Sequence, residues 1–445
     1  MDNSNLASKI ARPFVLIVER YYPDPFVFVV LLTLVTFGLA LGLTDITPVE
    51  SVQAWGGGMS SLLSFMAQIA LTLITAHALA HTDSVDRMVR RFARMPSSEV
   101  QCYVAVVLVA SAANLIAWSL GLIVGALMAR RVAEEGFHRG LNLHYPLVVA
   151  SAYAGLVIWH MGYSGSAPLF VATPGHQFES LIGVIPVTET IFTLKNLLAI
   201  LVTVFAVAVV CPLMHPPKDE IIRLDPTKVE KSSNDDVSSA ESNHRLDNSR
   251  GLSLILGLIL LSYLIIWFWR EGFALNLNIV NWSFVAAGLL LSRSPLHYVT
   301  LIKNAGHTVG PVLIQYPFYA AIMGLMIGSD LVGVFAGWFT ELATRDSLPF
   351  YAFLSGGLIN MFVPSGGGQW AVQGPIFLQA AKELGTEPAA VVMGVAYGDQ
   401  WTNMIQPFWT IPLLAVAGLH MRQILGYCFV VFIVSGLTLG LSISL

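Results

Sequence analysis

A helix that crosses a bilayer needs about twenty consecutive apolar residues, and this chain offers runs near that length nine times. They lie near 26–46, 59–80, 146–160, 193–214, 251–269, 277–292, 310–328, 388–404 and 423–444. Only 11% of the residues are charged and 55% are hydrophobic, against about a quarter charged in soluble domains. So few charges cannot cover a surface against water, which makes lipid the main solvent and predicts an all-α polytopic membrane protein with about nine full spans. The first run begins near Phe26 after a polar stretch and lacks a small-residue cleavage site, so it reads as a retained membrane helix. The formal net charge of −4 gives no nucleic-acid footprint. Cys102, Cys211 and Cys428 sit in apolar runs without metal-ligand spacing, so no metal and no cofactor is expected.

Two further apolar stretches, 101–133 and 348–383, do not fit as ordinary spans. Each is too long for one crossing, too short for two with a turn, and interrupted at its middle by polar or helix-breaking residues. A re-entrant hairpin of two half-helices, entering and leaving on one side, is the expected solution. The segment 215–250 is polar and without an apolar run, and reads as a flexible cytoplasmic linker.

The two sides of that linker resemble each other. At a shift near 246 residues, Asn114-Leu-Ile-Ala-Trp-Ser119 falls on Asn360-Met-Phe-Val-Pro-Ser365. Ala152-Tyr153 then falls on Ala396-Tyr397, and Pro168-Leu169 on Pro412-Leu413. The colinear order predicts a duplication: a first repeat over 1–214 and a second over 277–445, with 251–276 as an unmatched helix and loop that inverts the second. Charge agrees. Arg87, Arg90, Arg91 and Arg94 fill the loop 81–100, whereas the matching loop 329–347 holds only Arg345. The positive-inside rule puts the first loop and the N-terminus in the cytoplasm, and the second loop and the C-terminus outside. Inverted repeats with interrupted helices are a signature of secondary transporters, which bind near the midplane.

Candidate functional residues follow from that frame. Irregular main chain at membrane depth survives only where protein buries it or where it lines a wet cavity. Pro364-Ser365-Gly366-Gly367-Gly368-Gln369 is such a run, and its free N–H groups and the following helix N-terminus suit a carboxylate. Asn114, Ser119 and Asn360 add polar groups at the two tips. Asp399 is an intramembrane acid, a candidate for a coupling cation or proton, with Thr402, Asn403 and Gln406 beside it. His160, in Trp159-His-Met-Gly-Tyr-Ser-Gly-Ser166, occupies the matching first-half region and can titrate near neutrality. Each also has a plain structural use, packing a tip or capping a broken helix; the basic segment 85–94 reads as an amphipathic helix on the cytoplasmic surface, with an orientation anchor as its plain use.

Asn360-Met-Phe-Val-Pro-Ser-Gly-Gly-Gly-Gln-Trp370, Ala396-Tyr-Gly-Asp-Gln-Trp-Thr-Asn-Met-Ile-Gln-Pro407 and Glu19-Arg-Tyr-Tyr-Pro-Asp-Pro25 resemble the AtoE-type short-chain fatty acid transporters over essentially the whole chain. The resemblance implies uptake of acids such as acetoacetate and butyrate across a bacterial inner membrane. It also implies a place in the ion transporter superfamily, with paired hairpins and elevator motion. It puts Asn114, Ser119, Asn360 and Ser365 at the substrate and ion site. Neither tip carries the Ser-Asn-Thr triplet of sodium-coupled dicarboxylate relatives, and proton and sodium both stay open as coupling ions. A homodimer is expected by analogy. Scarce cations at depth favour a monocarboxylate, its tail on residues such as Phe362 and Trp370. A channel for small anions is the alternative. An intramembrane enzyme is a remote one, since HExxH, GxSxG and paired-carboxylate motifs are missing from the sequence.

Overall fold

The computed structural model describes residues 12–15, 23–224, 245–272, 276–306 and 309–445, the side chain of Pro311 apart. Most of the expected linker, 225–244, lies outside the described residues. All regular elements among the described residues are helical.

Local chemistry sets the helix starts. Asp24 accepts the Phe26 N–H at 2.9 Å and Pro25 opens α1 (Pro25–Leu43). Thr47 and Glu50 form a capping box ahead of α2 (Pro48–Gly58), and α3 (Leu63–Ala80) follows a short turn. The surface helix α4 (Asp83–Ala93) leads to α5 (Glu99–Ile116) and α6 (Trp118–His138), which only Ala117 separates, in extended conformation. Next come α7 (Tyr145–Ala154), a 3₁₀ stretch Gly155–Met161, α8 (Ser166–Val171), α9 (Glu179–Ile182) and α10 (Leu194–Leu213). Past the linker lie α11 (Arg250–Glu271), α12 (Leu277–Leu291), α13 (Pro295–Ala305), α14 (Gly310–Gly328) and α15 (Leu331–Glu341). The chain ends with α16 (Leu348–Asn360), α17 (Gly366–Leu384), α18 (Pro388–Thr402), a 3₁₀ turn Asn403–Ile405, α19 (Pro407–Ala417) and α20 (Met421–Ser444).

Among the described residues seven helices or near-continuous helical runs are long and apolar enough to cross a membrane, or eight with the pair α14–α15, which is bent by 62°. The nine runs of the sequence map onto them unevenly. Those near 277–292 and 388–404 become fifteen-residue helices, too short for the full-length set. The bend falls at Asp330, a non-glycine residue at φ +60°.

Two bodies of helices share the work. In the first, α2 crosses α14 with backbones in contact. A Cβ on Gly324 would lie 2.6 Å from the Gly58 Cα and 2.7 Å from the Ala54 carbonyl oxygen. Small residues permit that approach, the usual means of joining helices where lipid removes the hydrophobic drive. α1 packs on the same helix α14, and α3 on α12 and α13. Gln68 and Asn281 bind α3 to α12, with Asn281 Nδ2 donating to the Gln68 carbonyl at 2.9 Å. α1 and α11 turn leucines and valines outward, as lipid-facing helices do.

The second body holds two antiparallel helix pairs. In α5–α6, Gly121 lies on Asn114 and Gly125 on Ala110, while the distal ends meet where Arg139 donates to the Pro96 carbonyl at 2.6 Å. In α16–α17, Gln369 donates to the Gly356 carbonyl at 2.9 Å and Gln373 to the Ser355 hydroxyl at 3.0 Å. The arms are longer than the expected half-helices, and α5, expected as half of a hairpin, is among the seven helices long and apolar enough to cross a membrane. α5 and α6 have 18 and 21 residues, about 27 and 31 Å at the α-helical rise. α6 continues past 133 because Glu134 and Glu135, though charged, are paired with arginines.

Candidate functional site

Each helix pair is followed by a broken helix, and the breaks have visible causes. Gly155 ends α7 where α5 presses on it; a Cβ there would lie 2.7 Å from both the Ala110 Cβ and the Ser111 nitrogen. Pro407 lacks an N–H and holds Gln406 extended, so the run through Asn403–Ile405 cannot continue as α-helix. The loop 162–166 then reaches both tips. A Cβ on Gly162 would sit 2.4 Å from the Leu115 carbonyl oxygen, and Ser164 Oγ donates to the Asn114 carbonyl at 2.7 Å. At the other tip Gly366 lies against Ser166 and His160. The second half has a parallel contact, in which Gln406 Nε2 donates to the Asn360 carbonyl at 2.7 Å.

The residues around the second tip form one buried network. Asn360 Nδ2 lies 2.9 Å from the Asp399 carbonyl, from Thr402 Oγ1 and from Asn403 Oδ1. The Asp399 carbonyl can only accept, so it is the Asn360 NH2 that faces it, with two hydrogens shared among the three oxygens. Tyr153 of the first half donates to the Asn403 carbonyl. His160 joins the halves: its N–H donates to Gln400 Oε1 at 2.9 Å, and its Nδ1 accepts the Ser166 N–H at 3.2 Å. With Nδ1 an acceptor, the neutral ring carries its proton on Nε2. That nitrogen faces Asp399 Oδ2 at 3.5 Å, and the two side chains are only 1% and 2% exposed. The imidazole is boxed in by Trp159, ring centroids 3.6 Å apart, and by Gly366.

Around this pair stand many buried polar atoms without a protein partner. They include both Asp399 oxygens, His160 Nε2, Gln400 Nε2, Asn403 Nδ2, Gln406 Oε1 and Asn360 Oδ1, none of which makes a protein hydrogen bond; at the first tip Asn114 Oδ1 and Ser119 Oγ are likewise unmet. Buried polar groups are nearly always met by protein, water, an ion or a ligand. The set offers donors from Gln400 and Asn403, and acceptors from Asp399, Asn360 and Gln406. Among the described residues, no Lys or Arg contributes a hydrogen bond or ion pair to it. Trp118, Trp159 and Trp409 make an aromatic wall beside it, with Trp118 and Trp409 centroids 4.9 Å apart.

The residues singled out in the sequence divide between these roles. Asp399, His160, Asn360, Thr402 and Asn403 come together. Asn114 and Ser119 are buried at the first tip, where Asn114 Nδ2 turns back to its own helix at Ala110, 2.8 Å away. At the second tip Ser365 caps α17 by accepting the Gly368 N–H at 3.2 Å, and the Gln369 N–H bonds to the Ser365 carbonyl at 2.7 Å. Much of the N–H cradle expected over 365–369 is therefore spent inside the tip. Gly366 touches His160, and Gly367 faces open space. The Gln369 side chain zips α17 to α16. Phe362 packs against Phe335 and Trp370 against Phe178. The wall and the Tyr397–Asn196 hydrogen bond of 2.8 Å were not signalled by sequence, because each joins residues from distant parts of the chain.

A family model described as "Short chain fatty acid transporter" matches residues 6–445. A short-chain fatty acid transporter assigned in Escherichia coli K12 is 39% identical over 443 residues, covering 99% of this chain and 100% of that one. One assigned in Haemophilus influenzae is 38% identical over 441 residues, covering 96% and 97%. Among solved structures, the YdaH transporter of Alcanivorax borkumensis is 14% identical with a TM-score of 0.45, covering 94% of this chain and 98% of that one. MtrF of Neisseria gonorrhoeae is 13% identical with a TM-score of 0.36, covering 98% and 97%. No residue of this chain takes a role from these last two. The family and its relatives are transporters and not enzymes, and with several apolar helices the chain is a multi-pass membrane protein, consistent with an inner-membrane location. Matched from end to end by the family model and by both relatives, the chain belongs to the short-chain fatty acid transporter family.

Proposed function

We propose that this protein carries short-chain monocarboxylates, of the butyrate and acetoacetate class, with a coupled proton. The observation that carries the reading is the buried cluster of unpartnered polar atoms around Asp399 and His160. An unmet buried polar group costs about 1–3 kcal/mol, so such a cluster is poorly explained as packing and well explained as a binding site. The Gln400 and Asn403 donors suit a carboxylate, and the tryptophan wall suits a short acyl tail.

Charge balance supports coupling. A substrate carboxylate beside Asp399 would put two negative charges in a low-dielectric site without a Lys or Arg partner. That arrangement is strongly unfavourable unless one charge is neutralised. Asp399, backed by the Nε2–H of His160, is placed to take the proton. A sodium ion held by oxygens of Asp399, Asn360 and Gln406 is the second reading, favoured by those same unpartnered acceptors.

The paired helix hairpins, the paired broken helices and the matching bonds to Asn114 and Asn360 support two inverted repeats with re-entrant hairpins. The charge asymmetry of the sequence supports a cytoplasmic N-terminus. The packing of α1 and α2 on α14 and of α3 on α12 and α13 supports a fixed scaffold, which meets the hairpin body through stacked aromatics such as Tyr316 and Phe408 and past which that body moves as an elevator. The test is uptake of labelled butyrate or acetoacetate into proteoliposomes under imposed proton and sodium gradients, applied separately. A proton gradient should drive accumulation, and Asp399→Asn should abolish it while leaving downhill exchange measurable. Accumulation by Asp399→Asn equal to wild type would remove Asp399 from coupling.

A further inference from the structure

The surface helix α4 plays no part in the proposed site, yet its faces are sharply divided. Met88 and Phe92, one turn apart on one face, and Met95, just past the helix end, are 53%, 52% and 71% exposed. Arg87 and Arg91 flank that face, one turn apart, and are also exposed. The opposite side is committed to protein. Ala93 is fully buried, Arg90 pairs with Asp86 at 2.8 Å, and Arg94 pairs with Glu135 of α6 at 2.9 Å. Arg131 of α6 in turn pairs with both Asp86 and Glu134, and Arg130 with Glu134 at 3.1 Å.

An apolar face in open exposure beside arginines is the pattern of a helix lying in a membrane interface. In a multi-pass membrane protein, lipid at the interface is the occupant that matches an apolar face flanked by arginines. The positive flank selects the headgroups. We propose that α4 is a docking helix for anionic phospholipid, with Met88, Phe92 and Met95 in the acyl boundary and Arg87 and Arg91 on headgroup phosphates. The ion pairs on its other face run to α6, so headgroup occupancy bears on the distal end of the first hairpin. Anionic lipid then favours faster transport, a consequence that rests on the transport reading above.

Lipid docking is tested without any substrate. Full-length protein in mixed micelles is exposed to phosphatidylglycerol or phosphatidylcholine at low salt, and retained lipid is counted by native mass spectrometry. An arginine near an anionic surface contributes about fivefold in affinity, so Arg87→Gln/Arg91→Gln should lose roughly 30-fold for phosphatidylglycerol. Arg87→Lys/Arg91→Lys should keep most of it, which separates charge from damage to the fold. Equal retention of phosphatidylglycerol by wild type and the glutamine variant overturns the proposal, as does equal retention of both lipids by wild type. In vesicles, phosphatidylglycerol should speed uptake by wild type and not by the glutamine variant; stimulation of both alike refutes the link to α6. Should no acid be taken up by any vesicle, the transport reading fails, while lipid retention in micelles still decides for or against docking.

Discussion

Replacing Gly366 with alanine probes the contact between the second tip and the histidine. The new Cβ would lie 2.7 Å from both Cε1 and Nε2 of His160 and 3.0 Å from Ser166 Oγ. Carbon atoms sit comfortably at about 3.5–4.0 Å, so the methyl overlaps the ring by most of an ångström. The ring cannot easily give way. Trp159 stacks on it, Ser166 bonds its Nδ1, and Gln400 bonds its main chain. Overpacking of this kind costs about 1–3 kcal/mol, which shifts the balance between docked and undocked tip by about 5- to 160-fold. Gly367→Ala is the matched control: nothing lies within 4 Å of its Cβ, and in the first turn of a helix alanine gains up to about 1 kcal/mol over glycine. Initial rates of labelled butyrate uptake in proteoliposomes should fall at least about fivefold for Gly366→Ala, by the lower bound of that shift. For Gly367→Ala they should stay near wild type. Equal rates in all three proteins, or equal damage from both alanines, would refute the docked tip.

Three more outcomes follow from the same contacts. Asn360→Ala leaves the Asp399 and Asn403 acceptors unmet; it should cost about 2–4 kcal/mol, seen as a lower melting temperature in detergent, and an unchanged melting point would mean that water replaces the amide freely. Gly324→Ala forces apart two backbones now in contact at Gly58 and Ala54 and should destabilise by about 1–3 kcal/mol; full stability would show that the α2–α14 crossing yields. Burial first, and then the neighbouring His215, push the His144 imidazole, outside the spans, down to about 4 from 6.5. The folded protein therefore binds fewer protons than the unfolded chain between those values, and stability falls as pH drops through them, by on the order of 3 kcal/mol. His144→Gln should flatten that fall, and an equally steep one in the variant would assign it elsewhere.

The spans were legible because lipid imposes a length and an apolarity that a sliding window can see. The second-half break was legible because Pro407 cannot continue a helix, and the glycines at 162, 165 and 366–368 marked the loops, whereas Gly155, inside an apolar run, gave no such signal. The extent of α6 was not. Glu134 and Glu135 read as the end of an apolar run, and only their pairing with Arg94, Arg130 and Arg131 keeps them helical and buried. Asp399 and His160 each stood out as polar groups at membrane depth, but their meeting spans 239 positions of the chain and has no local signal. The Ser365 cap shows the opposite error. A glycine-rich tip looked like free N–H groups, yet the start of a helix consumes several of them itself.

The Gly58–Gly324 crossing also bears on how the protein is made. One partner leaves the ribosome more than 260 residues before the other. Until α14 is inserted, α2 has an open groove where a backbone should lie, and the early helices must wait in the membrane with that flank unfilled. Quality control in the cell thus has a natural checkpoint: truncation anywhere before α14 leaves the groove exposed to other nascent helices or to membrane proteases.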